Sequence, residues 1–323
     1  MPRNSLGVLV TVSAALAVLG YTRFAAGDYS ASVIMLICVN ALAAASLRFV
    51  MLVGELNIAT AAFYGMGAYV SAIATAWYGL PLPIALIAAG LAGALASILF
   101  GYVTLRTKGA YFLLVSFAFA EVVRLVFTRI EAIGGNSGMT GIFPAESLAP
   151  WYPTITVVVA IALLAGLYRL ERSTLGTVFR AIQNNDSVVQ SVGLNVLVVK
   201  ILCLAIASFV AGVGGALHAH ANNVISPGDF SFLVAVFALA YIKIGGEGHL
   251  LGAILGTVFL TVLGGYLIGL GAQEAIFFGG ALVLAMLILP DGLYGIAERL
   301  TRPLLRTLDR TPPEDSVKRS TAA

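Results

Sequence analysis

Gly54-Glu55-Leu56-Asn57-Ile58-Ala59-Thr60-Ala61-Ala62-Phe63-Tyr64-Gly65-Met66-Gly67-Ala68-Tyr69-Val70-Ser71 is the stretch on which the fold turns. It is too apolar for a surface loop, yet it holds a carboxylate, an amide, hydroxyls and paired glycines. Backbone and side chains of this kind are tolerated at membrane depth only inside protein or beside a watery cavity. The segment therefore reads as a discontinuous membrane span, one that lines something.

The rest of the chain agrees with a membrane reading. Of 323 residues, 60% are hydrophobic and 10% are charged, against about 25% charged in a soluble domain. The length would suit two soluble domains, but so few charges cannot clothe their surface. The apolar excess also excludes a disordered chain. Two cysteines, Cys38 and Cys203, lie in apolar runs and exclude a disulfide scaffold or cysteine-rich zinc site. A net charge of +3 gives no signal for nucleic acid.

A crossing helix needs about 20 mostly apolar residues. Ten candidate spans result: 6–22, 30–47, 57–76, 83–103, 110–127, 153–168, 199–218, 230–243, 250–268 and 275–289. The first and eighth are short enough to be half-membrane segments. Arg3 before an apolar stretch, with Ala25-Ala26-Gly27 after it, also fits a cleavable signal. An uncleaved first span makes the charge count close. With every span crossing once, only Arg23, Arg124 and Arg129 fall opposite Arg106 and Lys108, so 15 of 18 basic residues share one side. The positive-inside rule makes that side cytoplasmic and puts both termini there. Residues 1–298 form one transmembrane domain, and 299–323 form a basic cytoplasmic tail.

The 169–199 loop is the one substantial inside connection. Val178, Phe179 and Ile182 share a helical face, while Arg180 and Gln183 look elsewhere. Asn184-Asn185-Asp186 breaks the run. Asp186 is the expected cap of a second short helix, Ser187 to Val192, which Gly193 ends. Val188, Val189 and Val192 give it an apolar edge. Two roles suit such helices, lying on a lipid surface or docking in a partner's groove. Gly248, Gly252 and Gly256, at four-residue spacing, permit close helix packing. Glu121 and Arg124, three apart, can pair, either tying helices together or meeting a solute. His218 and His220, two apart, point to different faces and share no metal; they read as an interfacial pair at the outer end of span 7. No phosphate loop occurs, so the chain is not expected to hydrolyse ATP by that route, and no nucleophile elbow or zinc-protease helix occurs; no catalytic residue or cofactor is expected.

Six blocks in order resemble branched-chain amino acid ABC importer permeases, closest to the LivM-type subunit. After the glycine-aromatic segment come Leu105-Arg106-Thr107-Lys108-Gly109-Ala110-Tyr111-Phe112 with Phe119-Ala120-Glu121-Val122-Val123-Arg124-Leu125, then Gly134-Gly135-Asn136-Ser137-Gly138-Met139-Thr140-Gly141. Phe179-Arg180-Ala181-Ile182-Gln183-Asn184-Asn185-Asp186 leads through Gly193-Leu194-Asn195-Val196 to Lys200. A fifth block, Ser226-Pro227 then Gly245-Gly246-Glu247-Gly248 with Gly252, and a sixth, Pro290-Asp291-Gly292-Leu293-Tyr294-Gly295, complete the series. The resemblance implies an all-α, cobalamin-permease-like bundle of about ten spans in a bacterial inner membrane. It implies a second, LivH-type permease subunit, two ATPase subunits and a periplasmic substrate-binding protein as partners. The ATPases would grip Phe179, Arg180, Asn184, Asp186, Val188, Val189 and Gly193; Asn57, Thr60, Tyr64, Glu121 and Arg124 would line the pathway. Asn57-Ile58-Ala59-Thr60 stands where the family usually reads Ser-Leu-Gly-His, which leaves urea, short amides or another small polar solute as alternative cargo. A secondary transporter is the further alternative.

Overall fold

The computed structural model describes residues 27–143 and 148–267, with 279, 280, 283 and 292–295. The expected spans at 6–22 and 275–289, and the 299–323 tail, lie outside or almost wholly outside these residues. The described chain is helical: α1 (Asp28–Met51), α2 (Thr60–Ala76), α3 (Leu82–Thr104), α4 (Ala110–Arg129), α5 (Tyr152–Arg172), α6 (Thr174–Asn184), α7 (Asp186–Ser191), α8 (Val196–Asn222), α9 (Leu233–Gly245) and α10 (Leu250–Leu267). Pro81 and Gly109 precede α3 and α4, while Gly193 and Gly246, at positive φ, follow α7 and α9. Among the described residues five helices, α1, α3, α4, α5 and α8, are long and apolar enough to cross a membrane, and α9 with α10, bent 110° apart, would add a sixth span if taken together.

The centre of the bundle is α2, α3 and α8, with α1 laid across α8. In lipid no hydrophobic force drives apolar helices together, so close backbone packing has to hold them. Glycine supplies it. A Cβ on Gly67 of α2 would sit 2.1 Å from the Gly212 carbonyl oxygen of α8, and one on Gly215 would sit 1.9 Å from that of Tyr64. Gly65 and Gly67 thus lie in an unbroken helix. The irregular backbone comes earlier, at 52–59, and the third span starts from it instead of being interrupted midway.

The eighth expected span, read as short enough for a half-membrane segment, is a 13-residue helix. After α8, Val224–Ile225 pairs antiparallel with Met139–Thr140 at one end of the bundle. The chain then re-enters. Phe230 is buried against Tyr64, Tyr69 and Gly65 of α2, and Phe232 meets Phe117, the eighth residue of α4, edge to face. Helix α9 therefore starts inside the bundle and rises only about 20 Å over its 13 residues. It ends where Arg48 of α1 donates to the Glu247 carbonyl, 3.0 Å away. Gly252 and Gly256 let α10 fold back on it: their Cβ atoms would lie 2.3 Å from the Gly246 oxygen and 2.0 Å from that of Tyr241. Gly248 has open space around it and packs nothing, so the stripe is two glycines and not three.

Candidate functional site

Most described charges gather at one end of the bundle, where α1, α5 and α8 meet the α6–α7 loop. Helix α6 turns back sharply after Ser173. Gly176 makes that possible, since a Cβ there would lie 2.0 Å from the Glu171 carbonyl oxygen. The apolar face of α6 is spent on the bundle itself: Phe179 and Ile182 are buried, and Phe179 meets Phe49 of α1 edge-on at 5.7 Å. This face of α6 is therefore not free to dock in a partner's groove. Glu171 locks the elbow. Its carboxylate takes a two-pronged bond from the buried Arg48 guanidinium, at 2.8 and 2.9 Å, and a third from Arg180 at 2.9 Å.

Asn185 is extended (φ −162°, ψ 108°), and its side chain accepts from the Ser187 N–H at 3.0 Å. Asn185, not Asp186, therefore caps α7. That frees the Asp186 carboxylate to take Lys108 and to lie 3.7 Å from Lys200. The hydrogen bond and charge of Asp186 raise the Lys108 pKa above its ordinary value. The expected valine edge divides. Val189 is buried against the bundle, while Val188 and Val192 are 57% and 75% exposed. Asn184 and Gly193 are exposed as well, and the Gly193 N–H closes the turn on the Gln190 carbonyl.

A second buried pair was not legible in the sequence. Lys200, the fifth residue of α8, lies 2.8 Å from Glu55, and both side chains are under 5% exposed. Glu55 also accepts from the Gly109 N–H at 3.3 Å, and the next bond in this loop runs from Ile58 N–H to Ser116 Oγ of α4, at 3.1 Å. The available signal was weak: a lone lysine and a lone glutamate in apolar surroundings each need a partner. Their separation by 145 positions hid which one.

The expected pathway residues fall into two groups. Asn57 and Thr60 are buried where α2 begins. The Asn57 side chain accepts from the Ala59 N–H, its carbonyl accepts from the Thr60 hydroxyl, and its amide nitrogen is buried without a hydrogen-bond partner. Tyr64 is buried against Phe230 and His218. Glu121 and Arg124 instead pair at 2.8 Å on α4 with 23% and 31% of their side chains exposed. The histidines do diverge, but His220 is buried, with Nδ1 on the Ala216 carbonyl at 2.9 Å and Nε2 3.2 Å from Thr75 Oγ1.

The sequence model of the family described as "Branched-chain amino acid transport system / permease component" matches residues 29–289, which spans the whole helical bundle. The chain belongs to this permease family. It is 28% identical over 284 residues to the high-affinity branched-chain amino acid transport system permease protein LivM of Salmonella typhimurium, and equally to that of Escherichia coli. Each alignment covers 78% of this chain and 66% of the relative, so the chain spans about two thirds of the length of these relatives. A probable branched-chain amino acid transport permease protein LivM of Methanocaldococcus jannaschii is 23% identical over 248 residues, covering 70% of this chain and 72% of that one. No solved structure matches. Within the permease family's matched range lie both charged clusters, the α6–α7 loop and the Glu121–Arg124 pair.

Proposed function

We propose that this chain is the membrane-spanning permease subunit of an ATP-driven importer of branched-chain or related amino acids in a bacterial inner membrane. It crosses about ten times in the cobalamin-permease manner, with both termini cytoplasmic. ATP is hydrolysed elsewhere, on two ATPase subunits that seat on the exposed Val188/Val192 side of α7. A LivH-type permease subunit stands beside it, and a periplasmic binding protein delivers the solute.

The Glu121–Arg124 pair carries this reading. Glu121 is the twelfth residue of α4, about 17 Å along a helix that has to cross a core about 30 Å thick. A partly exposed ion pair at that depth is costly against lipid. Helix α4 is also lightly packed, with 22% of its most apolar window buried against 61% for α1. A watery passage shared with a second subunit relieves the cost. An amino acid zwitterion presents one charge of each sign, and Arg124 and Glu121 match them. Asn57, Thr60 and Tyr64 serve the pathway by fixing the start of α2 behind this face.

The test is uptake of labelled leucine into proteoliposomes holding the full complex. Uptake should require ATP, and Glu121→Gln should lower it about tenfold, the worth of one charge-assisted bond at ~1.4 kcal/mol, with the complex intact. ATP-independent uptake, or wild-type uptake in Glu121→Gln, would refute the proposal.

A further inference from the structure

Asp186, Lys108, Glu55 and Lys200 close a ring at the charged end of the bundle. Asp186 of α7 holds Lys108, whose neighbour Gly109 donates its N–H to Glu55; Glu55 holds Lys200, and Lys200 reaches back to Asp186 at 3.7 Å. The members come from α7, the 105–109 turn, the 52–59 loop and α8. We propose that this ring is the joint that carries motion of α7 into α4 and so to the Glu121–Arg124 pair. The proposal rests on the reading of α7 and α4 given above.

Three observations support a moving joint over a static brace. First, α7 has little else to hold it: it is six residues long, and Val189 is its buried side chain. Asp186 ties it to Lys108 and Lys200, so a push on α7 is felt by both. Second, the ring meets α4 at its root. Gly109 joins Lys108 to the helix at φ 59°, ψ −127°, a conformation open to glycine and closed to other residues, with free space around its Cα. Pulling Lys108 swings α4 about that residue. Third, the 52–59 loop follows α4, because Ile58 N–H bonds Ser116 Oγ while Glu55 bonds Gly109 N–H.

The Arg48–Glu171–Arg180 cluster makes the contrast. It fixes α6 to α1 and α5 through a buried, two-pronged pair, and α6 adds the buried Phe179. Helix α6 is the fixed arm and α7 the moving one. A buried ion pair is in any case a poor source of stability, since well-packed apolar residues of similar volume often do as well. Retaining Lys200 and Glu55 in the interior calls for a role that apolar packing does not fill.

That last point supplies the test, in the reconstituted complex. Lys200→Met leaves Glu55 buried and unpaired, and should lower both the thermal midpoint and ATP-driven uptake. The double variant Glu55→Gln/Lys200→Met removes the orphan charge. It should regain the wild-type thermal midpoint with ATPase subunits still bound, while uptake stays at least about tenfold down, the size of a lost coupling free energy. Lys200→Arg should transport normally. Wild-type uptake in the double variant would overturn the proposal and leave the permease reading standing. Wild-type complex that takes up leucine without ATP would instead overturn the reading beneath it.

Discussion

Replacing Gly215 with alanine adds one methyl group where α8 meets α2, and the geometry fixes the outcome. The new Cβ would lie 1.9 Å from the Tyr64 carbonyl oxygen, 2.8 Å from its carbon and 3.2 Å from the Ala68 nitrogen. All three are backbone atoms of a helix and cannot swing aside. Ordinary contact begins near 3.4 Å, so the two helices must part locally by about 1.5 Å (3.4 minus 1.9). Overpacking of this kind costs about 1–3 kcal/mol or more, whereas alanine's better helix propensity returns only about 1 kcal/mol. The gap also breaks dispersion contacts around Gly67 and Gly212, where the same pair of helices touches. A net loss of about 2 kcal/mol should lower the thermal unfolding midpoint by several degrees in detergent, read by loss of the monodisperse peak after heating. Gly166→Ala on α5 is the control. Its Cβ meets nothing within 4 Å, so the midpoint should hold or rise. A midpoint for Gly215→Ala at or above wild type would refute the claim that glycine contacts hold this core together.

Arg48→Met should cost about 3–5 kcal/mol, because it leaves Glu171 buried with one exposed partner; Arg180→Ala, on a side chain 51% exposed, should cost at most about 1 kcal/mol, both read from thermal midpoints. Asn185→Ala removes the cap of α7 and should weaken that helix by about 1 kcal/mol, seen as faster amide exchange over residues 187–191 with α6 unchanged.

The helical spans were legible because their cause is local. A run of about 20 apolar residues has one stable form in lipid, since every backbone group must be satisfied within the segment. Thus 83–103 became Leu82–Thr104, and 110–127 became Ala110–Arg129. The Glu121–Arg124 pair was legible for the same reason, because a spacing of three brings side chains together on any helix. The loop helices were half legible. Periodicity puts Val188, Val189 and Val192 within one broad arc, but which of them turns inward depends on where α7 is docked. Asn185 and Asp186 can both cap, and the extended backbone at Asn185 decided between them.

The sequence by itself determined the membrane class, the helices and the family. Tertiary structure decided the partners of the charges. Glu55 finds Lys200 145 positions away, and Arg48 finds Glu171 123 positions away. It also decided that the chain re-enters the bundle at Phe230 before α9 starts. The reason is range. Hydrophobic length, glycine spacing and i,i+3 pairing act within a few residues of chain, so composition and period record them. A buried charge is matched in space by whichever helix end is packed beside it, and nothing in its own neighbourhood of the sequence encodes that choice.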